Sequence, residues 1–377
     1  MDSVDVDRVD VVALTRALSD IDSTTGREAE TGRMLASVLR DRGYEVAEQP
    51  VAGDRFNVFA TLGEPPEVVF STHYDCVPPF FPARVEGGML FGRGVCDAKG
   101  ILAAQVAATE RLRQRGERRV GLLYVVGEER GSDGAKVANE LAPPGVRFLI
   151  NGEPTDNRLG LATRGMLRVR LVATGRAAHS SFPELGESAI DKLLDALMVV
   201  RGLELPDDPE LGRTHYTVGL IDGGVAPNVV SPHASAELMF RIVGDGAPIY
   251  DALRVVEGLV ALEHILEIPA VHMHRVSGFE TAVFPYTTDV PVLTRWGRPL
   301  LVGHDVRRMG EALQVELLDQ HHSPVVSRRM ASVSYSVTAC CSSSIETCSW
   351  SVCAVWIDPG PMSSGRPQRV STGTSVV

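Results

Sequence analysis

Three short apolar runs in this sequence each end in residues that can titrate. The runs cover residues 68–70, 120–126 and 146–150, and a helix is predicted at about 99–115 between the first two. Strands that alternate with helices predict an α/β domain with a mostly parallel sheet and flanking helices. Ligands of such sheets bind beyond the carboxyl ends of the strands. The titratable residues that follow the runs are therefore expected to form one site.

These residues are chemically suited to binding metal ions. The set consists of His73, Asp75, Asp97, Glu128, Glu129 and Glu153. Several carboxylates at one sheet edge repel each other strongly unless cations lie among them. Imidazole and carboxylate ligands without thiolates suit zinc, or cobalt or manganese in its place, in a hydrolytic site. If one carboxylate bridges, two ions about 3.5–4 Å apart can act on one shared water.

A different pattern occupies the middle of the chain. The predicted elements are strand 166–174, helix 187–202, strand 214–222, strand 229–242, helix 248–261 and strand 264–273. This βαββαβ order predicts an inserted α+β domain of the ferredoxin-like type. We therefore predict a catalytic domain formed by residues 1–163 and 274–322, an insert at 164–273, and an atypical tail at 323–377.

Two further segments carry patterns of local structure. Thr25 and Glu28 have the spacing of a capping box at the start of a helix. Residues 284–303 are predicted to return to the first domain as a short helix followed by a buried strand. Neither segment is assigned a part in the site.

Composition excludes some classes of function. The 377 residues carry 48 Asp and Glu against 37 Lys and Arg, for a net charge of −11. An acidic chain without a basic block is not expected to bind nucleic acid or an anionic membrane. No segment approaches the roughly 18 apolar residues of a membrane span, and the acidic first residues do not resemble a signal peptide. We expect a cytoplasmic protein that acts on a small molecule.

Five segments resemble the successive motifs of one enzyme family. They read STHYDCVPP (71–79), GRGVCDAKG (92–100), GEERGSDGA (127–135), NGEPT (151–155) and GRAAHSSFPELGESAI (175–190). In this order they are similar to the co-catalytic zinc amidohydrolases and metallopeptidases, which include acetylornithine deacetylase, succinyl-diaminopimelate desuccinylase, aminoacylase and glutamate-type carboxypeptidase. The resemblance covers roughly residues 10–303.

The resemblance implies a ligand set for two zinc ions per subunit. His73 and Glu153 would bind the first ion, Glu129 the second, and Asp97 both. Asp75 would hold the other ring nitrogen of His73, which independent chemistry also favours, because metal-binding imidazoles commonly pair that nitrogen with a carboxylate.

The resemblance also implies catalytic and substrate-binding residues. Glu128 would take a proton from the attacking water and pass it to the leaving amine. His179 would stabilise the oxyanion in the active site of a partner subunit, so the chain would form a homodimer through residues 164–273. Asn228 and Arg241 would hold a substrate carboxylate, a task that suits the forked guanidinium of arginine.

The activity that these motifs imply is zinc-dependent hydrolysis of the amide bond of an N-acyl amino acid. A metal-dependent carboxypeptidase or dipeptidase of the same family is the alternative, because these enzymes share the same ligands. A catalytically impaired member of the family is a third hypothesis, and it rests on the end of the chain.

From about residue 304 the sequence departs from the family pattern. The last metal ligand of the family is a histidine in an Ala-His motif after a glycine-rich turn. His304 comes too early for it, and His321 and His322 come too late. The final 55 residues hold 14 Ser and four of the six Cys. They are typical either of a disordered low-complexity tail or of a chain read in a shifted frame.

Overall fold

The computed structural model describes residues 9–303 and the backbone of residues 354–356. The first part of the chain forms α1 (Val11–Ser19), α2 (Ala29–Asp41), β1 (Glu45–Ala52), β2 (Arg55–Thr61), β3 (Val68–His73), β4 (Arg84–Glu86), β5 (Met89–Phe91), α3 (Gly100–Gln114), β6 (Val120–Val125), α4 (Asp133–Glu140), β7 (Phe148–Asn151) and β8 (Leu159–Thr163). The middle forms β9 (Gly165–Thr174), β10 (Ala178–His179), α5 (Ala189–Arg201), β11 (Asp207–Asp208), β12 (Gly212–Arg213), β13 (His215–Gly223), β14 (Val229–Val230), β15 (His233–Ile242), α6 (Ala247–Leu253) and β16 (Ala261–Ile268). The last strands are β17 (Val271–His272), β18 (Thr281–Phe284), β19 (Arg298–Leu301) and β20 (Ala354–Trp356).

A nine-stranded mixed sheet organises the first part of the chain. Its order is β1-β2-β6-β3-β7-β19-β8-β17, and β18 also pairs with β8. The four central strands, β6, β3, β7 and β19, run parallel. The predicted parallel arrangement therefore holds at the centre, while β1, β2 and β17 add antiparallel pairs at the edges. Every residue of β3 and β6 is buried, which explains why these strands read as continuous apolar runs.

The inserted segment forms a sheet of its own. The chain leaves the large sheet after Thr163 and re-enters it at Val271. Between these points four antiparallel strands in the order β13-β15-β9-β16 bury an apolar core with α5 and α6. This arrangement confirms the predicted βαββαβ fold.

Several element boundaries differ from the prediction. The strand expected at 229–242 is interrupted at Ser231 and Pro232, because the Ser231 hydroxyl bonds to the His233 carbonyl and proline has no N–H for the ladder. The helix expected at 248–261 ends at Leu253, and a single tighter turn follows at Arg254–Val256.

Two predictions about local structure are wrong in part. The chain returns to the large sheet with the buried strand β19, as predicted. Residues 285–297, however, form turns rather than a helix; Pro291 lacks an N–H, and the Asp289 carbonyl closes one turn by accepting from Val292 and Leu293. Glu28 stands at the start of α2 but makes no capping hydrogen bond there. Its carboxylate binds Arg55 instead.

Among residues 9–303, no helix is long and apolar enough to cross a membrane. The predicted tail at 323–377 lies outside the described residues except for β20, which pairs with β5.

Candidate metal centre

Strand register brings the predicted site residues to one edge of the large sheet. In the parallel pairing, His73 at the end of β3 lies opposite Val125 at the end of β6. On the other side of β3, Ser71 lies opposite Asn151 at the end of β7. The chain segments that follow β6 and β7 therefore carry Glu128, Glu129 and Glu153 past the same edge.

One imidazole and two carboxylates of this edge are close enough to share a metal ion. Ligand atoms of His73, Asp97 and Glu129 all lie within 4.8 Å of one another. His73 Nε2 lies 2.9 Å from Asp97 Oδ1. Asp97 belongs to the turn Val95–Lys99 that leads into α3, and its side chain is 44 % exposed. This group can hold one cation while part of the Asp97 side chain stays exposed.

Two more carboxylates lie beside this group at a cost in electrostatic energy. Glu153 is buried, and its Oε1 has no hydrogen-bond partner among the described residues. Burial, together with the charges of Asp97, Asp289 and Glu129, raises the pKa of Glu153 well above its ordinary value. Burial and neighbouring carboxylates likewise raise the pKa of Glu128 well above its usual range and that of Glu129 to about 7. Cations would relieve this repulsion, so the donor set fits metal ions.

Asp75 lies beneath the cluster and is held by four groups. Its Oδ1 lies 3.3 Å from His73 Nδ1. The backbone N–H groups of Glu128 and Glu129 donate to its two oxygens at 3.1 and 3.3 Å, and the Thr25 hydroxyl donates to Oδ2 at 2.8 Å. Burial raises the pKa of Asp75, but the bonds to His73 and Thr25 outweigh it and hold the pKa below its ordinary value. Asp75 therefore stays ionised and connects His73 to the segment that carries Glu128 and Glu129.

Sequence reasoning missed Asp289. It is 1 % exposed, and its carboxylate oxygens have no hydrogen-bond partner among the described residues. Burial raises the pKa of Asp289 to about 6, and the nearby Ser132 hydroxyl opposes part of this increase. The only signal in the sequence was an acidic residue after Thr287 and Thr288, in a segment predicted to begin with a short helix.

Arg241 of the insert contacts the chain segment that leads to Asp289. Arg241 is half-buried near the end of β15, and its Nη1 donates to the Thr287 hydroxyl at 3.2 Å. Burial lowers the pKa of Arg241, and the charge of Glu128 opposes this effect. The guanidinium therefore lies within electrostatic reach of the carboxylate predicted to be the general base.

His179 and Asn228 lie elsewhere on the insert. His179 is exposed on β10, and the Ser180 N–H donates to the Asn228 carbonyl at 2.9 Å, so the two residues are neighbours. Within residues 9–303, no hydrogen bond or ion pair joins either side chain to the metal cluster of the same chain.

The described chain reaches the edge of the cluster again at Gly303. A Cβ at Gly303 would lie 1.8 Å from the Glu153 carbonyl oxygen, so the two backbones are in direct contact. The histidines weighed as the last ligand, His304, His321 and His322, follow this point and lie outside the described residues.

A family model for peptidase family M20/M25/M40 matches residues 69–339. The chain belongs to this family. The matched region runs past residue 303 and includes the segment in which the last ligand motif of the family is not recognisable. The predicted resemblance is confirmed, and membership makes the chain a hydrolase of amide bonds.

Relatives and solved structures of this M20 peptidase agree with that assignment. A probable carboxypeptidase from Aspergillus terreus is 38 % identical over 319 residues, covering 74 % of this chain and 73 % of the relative. A tripeptidase from Staphylococcus aureus shares the fold with a TM-score of 0.67 at 18 % identity, covering 82 % of this chain and 98 % of that one. A dinuclear metal-binding peptidase of the M20 family from Bacillus subtilis gives a TM-score of 0.59 at 15 % identity, covering 82 % and 98 %.

Proposed function

We propose that this M20 peptidase is a metal-dependent carboxypeptidase that releases an amino acid with a free carboxylate from a short peptide. An N-acyl amino acid, the substrate predicted by the sequence motifs, is the shortest case, because it places the same carboxylate next to the same amide. The name of one relative, a probable carboxypeptidase, favours a peptide over an N-acyl amino acid as the substrate.

The observation that carries the proposal is the half-buried Arg241, which bonds to Thr287 two residues before Asp289 and whose pKa responds to the charge of Glu128. A guanidinium within electrostatic reach of the predicted general base can pair with a substrate carboxylate on the amine side of the scissile amide. In the described structure Arg241 donates to the neutral Thr287 hydroxyl and makes no ion pair among the described residues. Its charge is therefore available to an anionic substrate.

We assign His73, Asp97, Glu129 and Glu153 as ligands of two zinc ions, for which cobalt or manganese could substitute. Bound at this edge, the ions would supply Lewis-acid activation of the water and of the amide carbonyl. The Glu128 carboxylate accepts the proton of the attacking water and transfers it to the leaving amine nitrogen, so that one group serves as base and then as acid.

Asp75 supports this reaction without touching the substrate. By accepting from the amides of Glu128 and Glu129 and pairing with His73 Nδ1, it holds a base and two ligands in one arrangement. It is therefore a positioning residue.

Replacing Arg241 with methionine is expected to weaken the use of carboxylate substrates specifically. Hydrogen bonds to charged groups contribute about 1.5–3 kcal/mol, so kcat/KM for a peptide with a free C-terminus should fall by about 10- to 100-fold. The measurement compares each peptide with its C-terminal amide in the wild type and the variant. Arg254→Met, which removes an exposed arginine of the insert, is the matched control.

The pattern across substrates decides this prediction. The wild type should prefer the free carboxylate, and the Arg241 variant should lose that preference. An equal loss on the amidated peptide would contradict the assignment of Arg241. Cleavage of tripeptides only when the N-terminus is free would overturn the proposed carboxypeptidase activity.

We propose in addition that two chains form a dimer through the insert. The outer strand β13 exposes Val218, Leu220 and Ile221, and α5 exposes Leu194 and Met198 on the same domain. An unpaired strand edge with exposed apolar side chains is a favourable surface for pairing with a second copy. In such a dimer the exposed His179 would reach the cleft of the partner and stabilise the oxyanion.

Complementation tests the action of His179 across the interface. His179→Ala and Glu128→Gln are each expected to be inactive, whereas their co-expressed mixture should recover about a quarter of wild-type activity, because half of the dimers then contain one intact site. Mass measurement by light scattering should give twice the chain mass of 40.6 kDa. A monomer, or a mixture as inactive as its components, would contradict this proposal.

A further inference from the structure

The segment Gly127–Ser132 carries both Glu128 and Glu129 and has no regular secondary structure. It closes on itself, because the N–H groups of Gly131 and Ser132 donate to the Gly127 carbonyl at 3.2 and 2.8 Å. Because the segment belongs to no helix or strand, its position depends on contacts with neighbouring elements.

Strand β2 lies directly beside this segment. In the antiparallel pairing of β2 with β6, Val58 is opposite Tyr124, which brings the start of β2 alongside the residues that follow β6. From this position the Asn57 Oδ1 accepts from the Val126 N–H at 3.2 Å, and its Nδ2 donates to the Gly134 carbonyl at 2.8 Å. Asn57 thus fixes the backbone on both sides of the segment.

Arg55 lies on the same face of β2 and joins two carboxylates. Its Nε and Nη2 donate to Glu28 at 2.9 and 2.7 Å, and its Nη1 donates to Asp133 Oδ2 at 2.6 Å. Glu28 is fully buried and Arg55 is 13 % exposed, whereas Asp133 is 45 % exposed. The buried Glu28 therefore fixes the guanidinium, and the guanidinium in turn holds Asp133.

Arg55 also touches the backbone next to the catalytic carboxylates. A Cβ at Gly127 would lie 2.8 Å from Arg55 Nη2 and 1.7 Å from Asp133 Oδ1, so no larger side chain fits there in this conformation. Gly127 also has φ +76°, which favours glycine. Gly127 directly precedes Glu128, so the ion pair packs against the first residue of the segment.

We propose that Arg55 is a positioning residue, which through Asp133 and Gly127 holds Glu129 where it binds the second metal ion and Glu128 where it acts as the base. Asp75 holds the amides of the same two residues from below, and Thr25 bonds to Asp75. The Glu28–Arg55–Asp133 network therefore works beside Asp75 on one short segment. The inference rests on the proposed metal site but does not require the proposed substrate.

Asp133→Asn provides the sharpest test, because it weakens the link from Arg55 to the segment and leaves the buried Glu28–Arg55 pair intact. Mutation of residues that orient metal ligands typically lowers metal affinity by about 10- to 100-fold. The Kd of the second zinc ion should therefore rise by about that factor. The measurement is a competition titration with zinc alone and a chelating dye. Hydrogen exchange of the amides of residues 126–134 should become faster in the same variant.

Two controls separate positioning from general destabilisation. Asp191→Asn removes an exposed aspartate from the first turn of α5 and should change neither readout. Arg55→Met should repeat the effect of Asp133→Asn. Arg113→Met breaks the ion pair between Arg113 and the buried Glu110 and should lower Tm without changing zinc affinity.

The outcomes are distinct. Unchanged zinc affinity and exchange in Asp133→Asn would overturn the proposal, as would an equal effect in Asp191→Asn. Loss of amide hydrolysis that is restored by excess zinc supports it, because a displaced ligand is compensated by mass action. If the wild type cleaves none of the peptides while the zinc and exchange effects hold, the proposed substrate fails and the positioning by Arg55 stands.

Discussion

Glu128→Gln is expected to lower kcat by about 10²- to 10⁴-fold while metal content stays at the wild-type value. Glutamine keeps the size of the side chain but cannot accept the proton of the attacking water, and a positioned general base contributes about that factor. Glu128 is half-buried and keeps part of its surface accessible, as a base that meets both water and substrate requires. Steady-state kinetics on a peptide with a free C-terminus, together with elemental analysis of zinc, measures both quantities.

The control for this prediction is Glu140→Gln, at an exposed glutamate of the same domain that pairs with Arg295. It should leave kcat within twofold of the wild type. Retained turnover in Glu128→Gln would remove Glu128 from the mechanism. A simultaneous loss of zinc would instead make Glu128 a ligand, which contradicts the assignment of Glu129 and Glu153 as the carboxylates specific to each ion.

Asp97→Ala is expected to abolish activity and to reduce bound zinc from about two ions per chain to fewer than one. Asp97 belongs to the group whose ligand atoms converge within 4.8 Å, and its Oδ1 is 2.9 Å from His73 Nε2. As the proposed bridge it contributes to both ions, so its removal affects both sites. Elemental analysis after zinc reconstitution gives the stoichiometry directly.

Asp251→Ala, at an exposed aspartate of the insert, should keep the wild-type stoichiometry. If Asp97→Ala still binds as much zinc as the wild type, the bridge is assigned to the wrong residue. Loss of exactly one ion, with the other bound at unchanged affinity, would make Asp97 a ligand of a single ion.

Local patterns in the sequence were sufficient to locate the cluster. The apolar runs before His73 and Glu128 predicted buried parallel strands, and the carboxyl ends of parallel strands meet at one sheet edge. The structure brings His73, Asp97 and Glu129 together at that edge. The βαββαβ insert was predictable for the same reason, because its strands and helices each carry their own periodicity.

The surroundings of the cluster depend on contacts between residues distant in the chain, which local patterns do not encode. Thr25 and Glu28 have the spacing of a capping box, yet they bind Asp75 and Arg55, which are 50 and 27 residues away. Asp289 enters the site only because the chain returns to the large sheet after the insert.

The sequence by itself determined the central strands, the inserted fold and the side chains of the candidate metal-binding group, because each follows from a periodicity or a motif within a few residues. Only the tertiary structure decided which groups hold those side chains in place. Asp75 orients the Glu128–Glu129 segment through backbone N–H groups 53 and 54 residues away, and Arg55 reaches Asp133 across 78 residues. Such bonds form only when the sheet pairs β2, β6 and β3 in register, because pairing brings these distant residues within hydrogen-bond distance.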